Sequence, residues 1–165
     1  MNQRESFGPH GKFTLECLDA DGNIKWSSEF DNIVTDAGIN YLLDAGLSGG
    51  TPITAWYVGL KGTGSVAAGD TLASHAGWSE LTPYSGNRLA WTDGGVSAKS
   101  VTNSASPASF AITGTATVTG AFLASAATGT SGTLFSVGDS ASSKSVEADD
   151  TLNVTYTISG ADDGA

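Results

Sequence analysis

The chain has a single cysteine, Cys17, in 165 residues. That excludes an internal disulfide and any zinc site built on paired cysteines. Basic residues are scarce as well: seven Lys and Arg against seventeen Asp and Glu, for a formal net charge of −10. A phosphate backbone is bound by clustered cations, and here they are scattered singly from Arg4 to Lys144, so no direct nucleic-acid partner is expected. The excess acid reads as solubilising surface charge. Charge of either sign is low, at 15% of residues, and the Leu, Glu, Lys and Arg that build long helices are correspondingly few. No apolar run approaches the roughly 20 residues that cross a bilayer, so no membrane partner is expected. Met1-Asn2-Gln3-Arg4-Glu5 has no apolar run behind it, which points to synthesis in a cytoplasm without a secretory signal.

What replaces the missing charge is Gly, Ser, Thr and Ala between short apolar runs. Small and β-branched residues suit a pleated, half-buried surface and its turns. The length fits one domain with its own core. Residues 1–11, with Gly8, Pro9 and Gly11, read as a flexible arm, 12–159 as a single domain and 160–165 as a loose tail. Phe13, Leu15 and Cys17 alternate with Thr14 and Glu16, and Ile24 and Trp26 resume the alternation after Asp19-Ala20-Asp21-Gly22-Asn23. That is a β-hairpin over 12–28. Cys17 is expected to be a buried thiol.

A short helix is expected over 35–46, with Thr35 as its cap, Ile39, Leu42, Leu43 and Leu47 as a packing stripe, and Gly46 as its end. Further strands are expected at 53–60, 87–91, 96–101, 110–113, 116–123 and 133–137. Residues 62–69 read as a flexible loop and 74–86 as irregular. The last strand is the clearest: Leu152, Val154, Tyr156 and Ile158 face one way, and Thr151, Asn153, Thr155 and Thr157 the other. Short strands with regular turn signals make the fold all-β, an antiparallel, jelly-roll-like sandwich with one short helix. Gly69-Asp70-Thr71-Leu72 is echoed at Asp149-Asp150-Thr151-Leu152.

Candidates for chemistry are thin. His10 falls in the arm. His75, with Ser74, Ser79 and Glu80 near it, suggests a hydrolytic triad only superficially, because no nucleophile-elbow pattern accompanies it. Asp19, Asp21 and Asn23 present oxygens at alternate positions, as a calcium loop does, but lack the flanking helices and the twelfth-position glutamate. No Gly-Lys-Ser/Thr phosphate loop is present. The expectation is therefore no catalytic residue, no cofactor and no metal. Of the four tryptophans, Trp26 and Trp56 read as core and Trp78, in a loop, as an interface residue. A sugar-binding face or a protein interface would be built from such residues.

Together the segments resemble the small virion proteins of tailed bacteriophages. Asn32-Ile33-Val34-Thr35-Asp36-Ala37-Gly38 leads into a short leucine-bearing helix and a strand ending Val58-Gly59-Leu60. Asp70-Thr71-Leu72-Ala73-Ser74-His75-Ala76-Gly77-Trp78-Ser79-Glu80, Phe110-Ala111-Ile112-Thr113, Gly120-Ala121-Phe122-Leu123 and Asp150-Thr151-Leu152 continue the pattern over about residues 30–158. The resemblance implies a structural role in the virion, first as a capsid decoration (cement) protein binding between subunits of the major capsid protein, and as a homo-oligomer. A tail or receptor-binding component, with Trp78 and Tyr84 exposed in a ligand groove, is the alternative.

Overall fold

A computed structural model describes residues 8–161. Its elements are β1 (Pro9–Leu18), β2 (Ile24–Val34), α1 (Asp36–Leu43) followed by a π-helical turn (Asp44–Ser48), β3 (Tyr57–Gly64), β4 (Trp78–Leu81) and β5 (Leu89–Ala90). Then come β6 (Ser100–Thr102), β7 (Ala108–Ala111), β8 (Ala116–Ala124), β9 (Leu134–Val146) and β10 (Thr151–Gly160). Pairing is antiparallel in the order β4-β3-β8-β9-β2-β1-β10-β6, with β5 also on β3 and β7 also on β10. The all-β expectation is met. Strands β9 and β10 are consecutive in the chain yet lie on opposite sides of the β1–β2 hairpin, as in a Greek key.

Strand β2 turns the corner. Its first part pairs with β1 and its last three residues, Asn32 to Val34, pair with β9. The sheet therefore curls into a half-barrel whose halves face each other as layers of a sandwich. The far edges meet at an isolated bridge between Tyr84 and Ile112 and at a 2.7 Å bond from Thr113 N–H to the Pro83 carbonyl.

Period-two alternation fills the space between the layers. Phe13, Leu15 and Cys17 of β1, Leu152, Val154 and Tyr156 of β10, Val58 and Leu60 of β3 and Leu123 of β8 join one buried cluster. Burial pushes the Cys17 thiol up to about 11, reinforced by the Asp150 carboxylate. The second half of β8, from Gly120 to Ala124, and the first half of β9, from Leu134 to Gly138, are buried on both faces, so alternation is lost there. Their outer face carries a second cluster of Leu72, Trp78, Phe122, Ala124, Leu134 and Val137, to which the 65–78 segment supplies Leu72 and Trp78. Gly120 is what lets β8 sit so close. A Cβ there would run into the Gly138 carbonyl and crowd the buried stem of Lys61.

Several expectations need correction. Pro9, His10 and Gly11 are not an arm; they pair with Gly160, Ser159 and Ile158. The same ladder makes Gly160 part of β10 rather than of a tail. The remainder of the arm, 1–7, and of the tail, 162–165, lies outside the described residues. Thr35 does cap α1, accepting from Gly38 N–H at 3.0 Å and donating to the Leu134 carbonyl at 2.5 Å. Of the expected stripe, Ile39 and Leu42 pack against the core while Leu43 and Leu47 do not. Leu42 is half-buried, and Leu43 and Leu47 are 43% and 85% exposed. The closest approach is at Gly38, the one fully buried residue of the helix, where a Cβ would strike the Phe135 carbonyl. It continues past Gly46 and stops at Gly49, at φ 78°.

Other boundaries shift too. The expected 53–60 strand runs from Tyr57 to Gly64, so Gly62 and Gly64 are strand, and the expected irregular 74–86 contains β4. Residues 138–146, polar and serine-rich, extend β9 unforeseen.

Candidate functional site

The register of β3 on β5, Tyr57 to Ala90 and Val58 to Leu89, sets Trp56 opposite Trp91. A 2.8 Å bond from Trp91 N–H to the Trp56 carbonyl holds the pair together. Both indoles reach the end of the sandwich where β3 begins and β10 ends. There they line an open pocket of about 300 Å³. Phe135, Leu123 and Ile158 contribute from the strands, Tyr41 and Leu42 from α1, and Thr54 and Asp93 from the connecting segments.

Neither tryptophan is free to swing. Trp56 is edge-on to Tyr41 at 5.2 Å and to Phe135 at 5.3 Å between centroids. Trp91 donates its indole N–H to the Tyr156 carbonyl at 3.2 Å and packs 5.9 Å from the Tyr156 ring. The Tyr41 hydroxyl accepts from Ile53 N–H at 3.0 Å and keeps its own proton to donate. Asp93 accepts from Gly95 N–H at 2.8 Å through one oxygen. The result is an aromatic cleft with Tyr41, Thr54 and Asp93 among its lining residues, the usual composition of a small-molecule site.

The residues singled out from sequence are used differently. Trp78 is buried, not an interface residue, and Tyr84 is buried as well. The exposed-groove expectation for those two is overturned. Trp78 belongs to the second core, and Trp56, read as core, lies half-buried in the pocket wall. Burial raises the Tyr84 hydroxyl to about 12. His75 stacks on Trp78 at 4.0 Å, and its Nδ1 meets the Trp78 carbonyl at 3.1 Å. Glu80 does not orient it. That carboxylate makes a two-point pair with Arg88, at 2.8 and 2.7 Å, and Arg88 also donates to the Ala126 and Gly129 carbonyls. These residues thus form a brace between β4 and the 126–129 loop, with no triad among them.

His10, on the outer face of β1, sits with Lys12, Glu29 and Asp31 in a polar groove. The Asp19 carboxylate faces its own turn, accepting from the N–H groups of Asp21 and Asn23. Those bonds, the Asn23 backbone first, hold it below its ordinary range. Lys61 is fully buried, donating to the Gly62 and Gly64 carbonyls at 3.0 and 2.6 Å and pairing with Asp139 at 2.5 Å. No group of three or more potential metal-binding His, Cys, Asp or Glu side chains occurs among the described residues.

No family model matches this chain, and no curated protein aligns with it. No helix among the described residues is long and apolar enough to cross a membrane. The pocket was missed in the sequence because its two tryptophans lie 35 positions apart. No local signal marks the pair: Trp56 falls inside the expected 53–60 strand, and only the register of β3 on β5 brings it to Trp91.

Proposed function

We propose that the chain is a structural subunit of a tailed-phage particle. The leading reading is a decoration protein that binds between subunits of the capsid shell. One observation carries it: three of the four large apolar side chains exposed among the described residues, all but Ile24, lie in segments that also line the pocket. Leu43 and Leu47 follow Leu42 along the helical segment, and Val96, at 81% exposed, lies three residues past Asp93. Glu80 with Arg88, Lys61 with Asp139 and Asp150 with Lys25 are meanwhile tied to one another in internal braces. A contact of ordinary size takes about 800 Å² per partner, roughly a tenth of the 8750 Å² surface, so the domain is large enough to provide one. The major capsid protein is the partner expected there, and self-association would use the same apolar segments.

The aromatic pocket favours a second reading, a tail or receptor-binding part. Copy number separates the two. Gold-labelled antibody and quantitative mass spectrometry on purified particles should place hundreds of copies on the head. A handful of copies confined to the tail would replace the first reading with the second, and absence from particles would refute both.

A further inference from the structure

We propose that the Trp56–Trp91 pocket binds a pyranose sugar, uncharged or amino-bearing. This inference does not depend on where, or whether, the protein sits in a virion. Three features select that ligand over an aliphatic peptide side chain. The first is shape: two indoles held side by side in cross-strand register, with Tyr41 beside them, form flat apolar walls. Such walls suit the C–H faces of a sugar ring. The second is polarity. The lining includes Thr54, Tyr41 and Asp93, residues whose side chains can together accept from and donate to ring hydroxyls. A purely aliphatic occupant would leave those groups desolvated without partners.

The third feature is charge. Asp93 lies in the pocket wall of a chain whose net charge is −10, so an acidic sugar would be repelled and an amino sugar attracted. The volume of about 300 Å³ is at the small end for ligand pockets and suits a single ring or a short saccharide. Because the tryptophans are fixed by Tyr41, Phe135 and Tyr156, little ordering is needed on binding.

Saturation-transfer NMR on the full chain tests this. The probes are methyl β-galactopyranoside, methyl β-glucopyranoside, methyl α-mannopyranoside and galactosamine, with N-acetylneuraminic acid and cyclohexanol as comparisons. At least one of the four pyranose probes should bind with a Kd of about 1 mM, with saturation strongest at its ring C–H protons. Asp93→Asn keeps an acceptor for Gly95 N–H and should weaken that probe by about tenfold. Thr54→Trp, at an exposed position, should abolish the signal by filling the mouth while leaving the melting temperature unchanged. The proposal is overturned if none of the four binds, or if N-acetylneuraminic acid binds best. It is equally overturned if cyclohexanol binds as well as the sugars and ignores Asp93→Asn, or if Thr54→Trp folds and binds undiminished.

Discussion

Asp150 offers the sharpest test of how the fold is held, because the molecule contains its own control. The side chain is 4% exposed at the entry to β10. It accepts from Glu147 N–H at 2.8 Å and from Lys25 Nζ at 2.8 and 3.1 Å, and the Cys17 thiol lies 3.6 Å away. Burial would by itself raise this carboxyl, but Lys25 and the Glu147 N–H outweigh it and hold the group below its ordinary value. A hydrogen bond to a charged group contributes about 1.5–3 kcal/mol. The Lys25 contact adds roughly 1 kcal/mol or less, since that lysine is 28% exposed and screened. Asp150→Ala should therefore cost about 2–4 kcal/mol. Asp70 makes the same turn, accepting from Ala67 N–H, but has Trp78 Nε1 in place of a cation and is only half-buried. Asp70→Ala should cost about 1–2 kcal/mol. Urea unfolding of both variants, each checked for an unchanged m-value, gives the comparison. The pH dependence has a definite sign. With the folded pKa depressed, the stabilisation is complete above the unfolded value near ~3.9 and is lost as pH falls through the folded one. The gap between wild type and Asp150→Asn should accordingly close below about pH 4. Equal costs for the two alanine variants, or a gap that widens in acid, would refute this account.

Val154 is fully buried while Thr155 on the opposite face of β10 is half-exposed. Val154→Asp should therefore prevent folding through an unpaired buried charge, with Thr155→Asp costing about 1 kcal/mol or less by circular dichroism melts. Equal effects would mean that both faces are packed. The melting temperature of a chain lacking residues 2–7 is the reference, because among the described residues the β1–β10 ladder begins at Pro9. Extending the deletion to Gly11 removes three paired positions and should lower it by several degrees, and an unchanged value would refute that pairing.

The strands most legible in the sequence were those buried on one face. β1 and β10 announce themselves because alternate residues meet different media, and the structure places Phe13, Leu15, Cys17, Leu152, Val154 and Tyr156 inward as their spacing implies. The Thr35 cap was equally visible, since a hydroxyl before a helical stretch has a local job. Longer-range causes were not visible. Trp78 looked like a loop residue because nothing nearby in sequence shows that Phe122 waits 5.3 Å from its ring. The helix looked amphipathic, and Ile39 and Leu42 do pack against the core, yet its closest approach is a glycine meeting a carbonyl from β9, a fit that hydrophobic spacing does not encode. The second half of β9 escaped for a related reason: Ser140 to Ser145 carry no apolar face of their own, and Lys144 and Ser145 take their strand partners, Val118 and Thr117, from β8. The pocket depends wholly on register between distant strands.

The acidity of the chain, read at first as solubilising charge, has a more specific structural part. Asp19 and Asp93 accept from backbone N–H groups two residues ahead, and Asp70 and Asp150 from N–H groups three residues behind. In the last two the aspartate's own N–H also returns to the same earlier residue, Ala67 or Glu147, and a buried leucine follows two positions later. The sequence echo is thus a turn used twice, once to enter β10 and once within the segment that reaches the second core. Short side chains with a carboxylate are suited to this, because they satisfy turn N–H groups that no strand partner can reach. A chain with few cations then accumulates negative charge wherever its strands turn. Asp93, among the pocket residues, is one such turn-former, and its presence there gives the aromatic cleft the polarity that a saccharide requires.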